Sequence, residues 1–307
     1  MTHIYNAFRG DSLDVFYEQY RRASRGDRGT NLDFPEHEIQ RITNSISGEE
    51  TAERAIGVFE AVMGAYQSVK AISPGRKVLD YGCGWGRITR LLPYYFADEN
   101  IFGVDVNRDL IDSARQTLPS LSFECIESMG RLPYSSSTFD LIFANSVFSH
   151  LSEISATATI AELCRVLAPD GVLLLSVLQH KHLTQFYESN PVWGRKIIGE
   201  LSDAETMLEE NHFVWGDTKR WDNYGLTFIS DDWLEPVMVK PGIVIKGKVE
   251  GSQNWVVCVK RKTLYQYIRS TTVYHYILST TVYQYIRSTT VYQYIRSTIA
   301  SLRSLIP

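Results

Sequence analysis

Residues 78–86 read Val-Leu-Asp-Tyr-Gly-Cys-Gly-Trp-Gly, a short apolar run that meets an acid and then a glycine at every second position. Such a run ahead of a glycine-rich turn reads as a buried strand feeding a turn that opens a helix. Glycine is needed where backbone must turn tightly and let a ligand approach with no Cβ in the way. Arg87 stands where the fingerprint G-x-G-x-x-G wants its third glycine, and Asp80 lies on the strand side of the turn. An acid at the mouth of the turn opposes a pyrophosphate on the helix N-terminus and favours a cationic group instead.

The sequence around this turn alternates between strand and helix. Ser47-Gly48-Glu49-Glu50 has the form of a capping box, and apolar residues at 52, 55, 56, 59, 62, 63, 66, 69 and 72 give one helical face before Pro74-Gly75. Strands are expected at Lys77–Asp80, Ile101–Asp105, Ser122–Cys125, Phe139–Asn145 and Gly171–Val177, the last after the turn Pro169-Asp170-Gly171. Helices are expected at Trp85–Phe96, from the cap Asn107 through Leu118, and at Ser152–Leu167. Short connections between alternating elements imply an α/β fold of Rossmann-like, doubly wound type, its sheet mostly parallel. Gly242–Val249 and Asn254–Lys260 complete it as an antiparallel C-terminal edge.

Three further segments flank or interrupt this domain, which spans residues 47–262. Residues 1–46 are read as an N-terminal helical cap or lid with helix around Leu13–Arg22, and residues 178–225 as a helical, tryptophan-containing insertion. From Thr263 the chain is a low-complexity tail built on nine-residue copies such as TVYQYIRST. An odd repeat length reverses the buried face of a strand at every copy, and of a helix too, so the tail is not expected to join the core.

With 307 residues and 44% hydrophobic content, the chain can fill a sizeable core. The tail holds four arginines and no acid, so 27 basic residues face 35 acidic ones elsewhere and the body carries −8. Neither nucleic acid nor an anionic membrane suits such a surface. Cys83, Cys125, Cys164 and Cys258 are far apart with no C-x-x-C pair, which argues against a zinc site and a disulfide framework and for a reducing, cytoplasmic setting. His180 and His182 point apart on a helix, and no metal is expected.

A second acid, Asp105, ends the next expected strand 19 residues after Gly86. A carboxylate there suits the ribose hydroxyls of an adenosine ligand, although such an aspartate also serves to cap the helix that follows. With these two acids stand Leu132-Pro133-Tyr134, Ser137-Thr138-Phe139-Asp140-Leu141-Ile142 and Glu162-Leu163-Cys164-Arg165-Val166-Leu167-Ala168-Pro169-Asp170-Gly171. In order and spacing, from Val78 to Val177, these motifs resemble those of the class I S-adenosylmethionine-dependent methyltransferases, of bacterial small-molecule type.

The resemblance implies S-adenosylmethionine as cofactor and a small-molecule acceptor. It places Asp80, Gly82, Cys83, Gly84 and Gly86 around the methionine moiety and Asp105 with Val106 at ribose and adenine. In the stretch Glu127-Ser128-Met129, either Glu127 or Ser128 would read the adenine amino group. Asn145 joins the cofactor set at the end of the fourth strand, and the segment through His150 occupies the family's reacting centre. His150 titrates near neutrality and suits a general base; a histidine fixed by backbone hydrogen bonds beneath the cofactor fits the position as well. Trp193, Trp215, Trp221 and Trp233 either wall an acceptor pocket or fill core. Two other activities fit parts of the pattern: a nicotinamide-dependent oxidoreductase on the same fold, and a non-catalytic binding subunit.

Overall fold

A computed structural model describes residues 4–8, 10–27, 29–30, 32–218 and 224–262. The N-terminal region supplies α1 (Ile4–Ala7), α2 (Leu13–Ser24) and α3 (His37–Asn44), followed by α4 (Glu49–Gln67). The alternating part runs β1 (Val78–Tyr81), β2 (Ile101–Asp105), α5 (Arg108–Thr117), β3 (Ser122–Cys125), β4 (Phe139–Ala144), α6 (Glu153–Val166) and β5 (Leu167–Val177). Then come α7 (His180–Ser189), α8 (Pro191–Ile197), α9 (Leu201–Glu210), β6 (Phe213–Asp217), β7 (Gly225–Ile229), α10 (Asp231–Val239), β8 (Ile243–Val249) and β9 (Asn254–Lys260).

Seven strands form one sheet in the order β3-β2-β1-β4-β5-β9-β8, with β6 and β7 in a separate antiparallel hairpin. The first five are parallel; β9 pairs antiparallel with β5 and β8 with β9, as the sequence pattern implies. Strand order reverses between β1 and β4, which opens a crevice beyond their carboxyl ends where such sheets bind ligands. Side-chain alternation assigns the two faces. Val78, Leu141 and Leu174 pack with α2 and α4, through Phe16, Tyr20, Phe59 and Tyr66, while Leu79, Ile142 and Leu173 pack on the other face with Ile160 and Leu163 of α6.

Several elements differ from the sequence reading. Residues 85–96 do not form an α-helix: a turn leads into a 3₁₀ helix at Thr89–Tyr94. Pro93 has no N–H to donate, and the Arg90 guanidinium takes the carbonyls of Trp85 and Gly86. The capping box also fails. Gly48 is the N-cap of α4 with φ of 65°, its N–H donates to Gln40 Oε1 at 2.8 Å, and Ser47 Oγ pairs with His37 Nδ1 at 3.1 Å. Side chains of α3 thus take the groups that the local motif reserved for α4. The insertion ends in the β6–β7 hairpin as well as helices, because five-residue strands broken by Gly216 and Gly225 leave little periodic signal.

Residues 1–261 form one compact unit, and the N-terminal helices belong to it. Asp98 accepts from Ile4 N and Tyr5 N at 2.8 Å, and the Tyr20 hydroxyl donates to Arg87 O at 2.6 Å. No described helix is long and apolar enough to cross a membrane. The repeat tail and Trp221 lie outside the described residues.

Candidate functional site

The glycine turn leaves β1 toward its neighbour: Gly82 N and Cys83 N both donate to Val104 O, at 2.8 and 3.0 Å. Gly82, Gly84 and Gly86 all have left-handed φ, of 79°, 55° and 78°. The turn is as tightly packed by protein as a ligand would require. A Cβ on Gly82 would strike Val147 Cγ2, and one on Gly84 would come within 2.9 Å of Thr43 Cγ2. Thr43 Oγ1 also accepts from the Trp85 indole at 3.2 Å, so the end of α3 sits on this loop.

Asp105 joins loop and strand end. One carboxylate oxygen accepts from Gly84 N at 2.8 Å and the other from Asn107 N at 2.9 Å. The second bond is the capping contact that the sequence allowed; a carboxylate oxygen has two lone pairs, so capacity for two hydroxyl donors remains. Burial pushes this carboxyl above its ordinary value against the pull of the Asn107, Gly84 and Val106 amides. Asp80 is not at the mouth of the turn, as the sequence suggested, but behind it. It is 1% exposed, one oxygen accepts from Thr89 Oγ1 at 2.7 Å, and burial raises its pKa to about 7 despite that bond and Arg87. Cys83 is buried, and its thiol is pushed well up.

The loop after β3 starts beside the end of β2, with Ile126 N donating to the main-chain carbonyl of Asp105 at 2.9 Å. Glu127 and Ser128 are exposed there. Met129 takes φ of 58° and its sulfur accepts from Ser155 Oγ at 3.4 Å. Val106, next in the chain to Asp105, and Met129, on the loop after β3, are apolar yet 58% and 44% exposed.

The turn after β4 brings the remaining residues onto the loop. Asn145 is half-buried, and Ser146 is held at φ of 55° by a closed ring of hydrogen bonds. Ser146 N donates to Ser176 Oγ at 2.7 Å, Ser176 Oγ to Gln253 Oε1 at 2.7 Å, and Gln253 Nε2 to Ser146 Oγ at 2.6 Å. Val147 packs on Gly82, and His150 N closes the turn onto Val147 O at 3.0 Å. His150 Nδ1 donates to Gly225 O at 2.8 Å, its ring stacks on Tyr224 at 4.2 Å and 17°, and burial lowers its pKa.

Gln253, Tyr224, Gly225 and Thr43 escaped the sequence reading because each reaches the site from a distant segment with no motif of its own. Trp233 fills core and donates to Glu153 Oε1 at 2.8 Å; Trp193 is 47% exposed against Phe186; Trp215 donates to His150 O at 3.4 Å. His182 Nδ1 accepts from Gln179 N at 2.9 Å, and no group of metal-ligating side chains occurs among the described residues.

A family model described as a methyltransferase domain matches residues 78–171, which hold the glycine turn, Asp105, the β3 loop and the β4 turn. Over those residues the chain is similar to methyltransferase domains, in line with the class I S-adenosylmethionine-dependent motifs of its sequence. An uncharacterised methyltransferase of Schizosaccharomyces pombe is 28% identical over 50% of this chain and 67% of its own length. A malonyl-[acyl-carrier protein] O-methyltransferase of Halalkalibacterium halodurans is 34% identical over 37% of this chain, and a trans-aconitate 2-methyltransferase of Sinorhizobium medicae 35% identical over 34%. The chain spans only 43% and 39% of those two proteins. A crystal structure from Pyrococcus horikoshii OT3 shares the fold, with a TM-score of 0.51 at 20% identity over 72% of this chain and 95% of that one.

S-adenosylmethionine fits the residues present: Asp105 keeps acceptor capacity, Val106 and Met129 offer apolar surface, and among the described residues no cation pairs directly with buried Asp80. Asp105→Ala is expected to weaken S-adenosylmethionine binding by about 1.5–3 kcal/mol, the range for hydrogen bonds to a charged group. Isothermal calorimetry on the folded variant measures it, and unchanged affinity would remove Asp105 from the cofactor set.

Proposed function

We propose that this chain transfers a methyl group from S-adenosylmethionine to a small-molecule acceptor by in-line SN2 displacement. The observation that carries the reading is the packing of Val147 on Gly82, which seats the β4 turn directly against the glycine loop at the switch point of the sheet. Cofactor-binding and reacting segments thereby share one crevice. The bound sulfonium supplies an already activated methyl group, so the protein's work is positioning and exclusion of water.

The named residues divide that work. Asp105 accepts from the ribose hydroxyls, Val106 and Met129 cover the adenine, and Glu127 or Ser128 reads its amino group. Gly82, Cys83, Gly84, Gly86 and Asn145 line the methionine end, where Asp80 offers negative charge from behind the loop. His150 takes the acceptor's proton: with Nδ1 donating to Gly225 O, the lone pair lies on Nε2, and burial keeps the ring neutral. A base of this kind suits an acceptor that bears a proton, such as a hydroxyl. The relatives named for trans-aconitate and malonyl-[acyl-carrier protein] support a small acceptor without fixing which.

Titration with S-adenosylmethionine, S-adenosylhomocysteine and NAD tests the cofactor, and transfer of labelled methyl into metabolite pools tests the activity. His150→Gln is expected to lower kcat by about 100-fold while leaving S-adenosylhomocysteine affinity nearly intact. NAD binding in place of the two adenosyl ligands would overturn the whole reading; undiminished turnover by the variant would remove the base alone.

A further inference from the structure

The β6–β7 hairpin lies more than 60 residues beyond His150 in sequence, yet it forms the wall against which that residue rests. Its hydrogen bonds to the turn after β4 fall on residues 149–151. Gly225 N donates to His150 O at 2.8 Å, Thr227 N to Ser149 O at 2.9 Å, and Thr227 Oγ1 to Leu151 O at 2.7 Å. Leu151 and Tyr224 form an antiparallel bridge. The hairpin edge therefore continues across the turn after β4 as a third, very short strand.

We infer that this hairpin is a positioning device for His150, in which the Gly225 carbonyl selects the Nδ1–H tautomer and the Tyr224 ring fixes the plane of the imidazole. This deepens the proposed role of His150 and rests on that reading only for its catalytic consequence. Gly225 exchanges two hydrogen bonds with the same residue, its N–H to the His150 carbonyl and its own carbonyl to Nδ1. The imidazole is thus tied to the backbone that carries it, with little freedom left in either side-chain torsion. Tyr224, stacked at 4.2 Å and 17°, blocks rotation out of that plane.

The absence of a side chain at Gly225 belongs to the same arrangement. A Cβ there would occupy the place of the Trp215 indole, whose Nε1 donates to His150 O at 3.4 Å. The His150 carbonyl so receives two donors, one from each strand of the hairpin, and cannot turn to compete for Nδ1. A neutral imidazole with a donor at one nitrogen has its lone pair at the other, so the hairpin leaves Nε2 as proton acceptor. Tyr224 and Gly225 act through His150 and are positioning residues in this scheme.

The test is ¹⁵N spectroscopy of the full chain labelled at histidine, with the His150 signals assigned by their loss in His150→Gln. The wild-type protein is expected to show one tautomer, protonated at Nδ1 with a pyridine-like Nε2. Tyr224→Leu should give a mixture of tautomers, Tyr224→Phe should restore the single one, and S-adenosylhomocysteine affinity should stay within about twofold in both. Turnover of methyl-labelled S-adenosylmethionine with a hydroxyl-bearing metabolite pool should fall about tenfold or more in Tyr224→Leu, as for a base held loosely. An Nε2–H tautomer or a mixture in the wild type overturns the inference, and that measurement stands even if Tyr224→Leu does not fold. A single tautomer that survives in Tyr224→Leu overturns the role of the ring. If instead the tautomer behaves as expected while His150→Gln keeps full turnover, the hairpin positions the ring but the general-base reading falls.

Discussion

Replacing Arg90 with methionine is expected to destabilise the folded chain by about 4 kcal/mol, because a buried charge-assisted network loses its donor and leaves its acceptors unpaired. Arg90 is fully buried, and among the described residues no carboxylate pairs with it. Its guanidinium donates instead to Gly86 O at 3.1 Å, Trp85 O at 2.9 Å, Thr117 Oγ1 at 3.3 Å and Asp33 O. It also lies over the rings of Phe34 and Trp85, 4.5 and 4.8 Å from their centroids. Methionine nearly fills the volume but satisfies none of the carbonyls. For a unit of this size the loss corresponds to a melting temperature lower by roughly 10 °C. Because the same guanidinium joins the segment before α3 to the glycine loop, cofactor affinity should fall with it. A melting point within about 3 °C of wild type would show that water replaces the lost donors cheaply.

The parts of the fold and of the candidate site whose geometry was legible in the sequence are those in which one short stretch carries both the pattern and its consequence. The glycine turn, Asp105 at the end of β2 and the antiparallel edge of β8 and β9 are of this kind. Periodicity and turn chemistry act over a few residues, so each could be read without knowing the fold. What failed depended on partners far away in the chain. The helix expected at 85–96 tightens to 3₁₀ around Pro93 and the Arg90 side chain, and Arg90 stays there because Phe34 and Asp33 come back to it. Ser47 loses its capping role to a histidine ten residues earlier. Asp80 looks like an acid at the mouth of a turn until burial is known, since a sequence pattern does not reveal that Thr89 and the loop close over it.

That burial leads to an effect of opposite sign on stability and on binding. The Asp80 carboxyl titrates near pH 7 in the folded chain and near its ordinary 3.8 once unfolded, so between those values the folded state holds a proton that the unfolded state has released. The stability contributed by the neutral form is complete below pH 3.8 and is lost as pH rises through 7. At 1.36 kcal/mol per unit, the gap amounts to at most about 4 kcal/mol. Asp80→Asn never charges, and its side-chain oxygen can still accept from Thr89. The variant without cofactor should therefore melt higher than wild type at pH 8, with the difference shrinking steadily toward pH 4. The bound cofactor reverses the preference, since a cationic amino group or sulfonium beside Asp80 favours the carboxylate. Binding of S-adenosylmethionine to the wild type should then release a proton from Asp80 and tighten between pH 5.5 and 7, whereas Asp80→Asn should bind more weakly and lose that pH dependence. Calorimetry in two buffers of different ionisation enthalpy measures the proton, and thermal melts across the pH range measure the stability. A variant less stable than wild type at pH 8, or one that binds the cofactor with the wild-type pH profile, would show that Asp80 is already ionised behind the loop and plays no part in holding the cation.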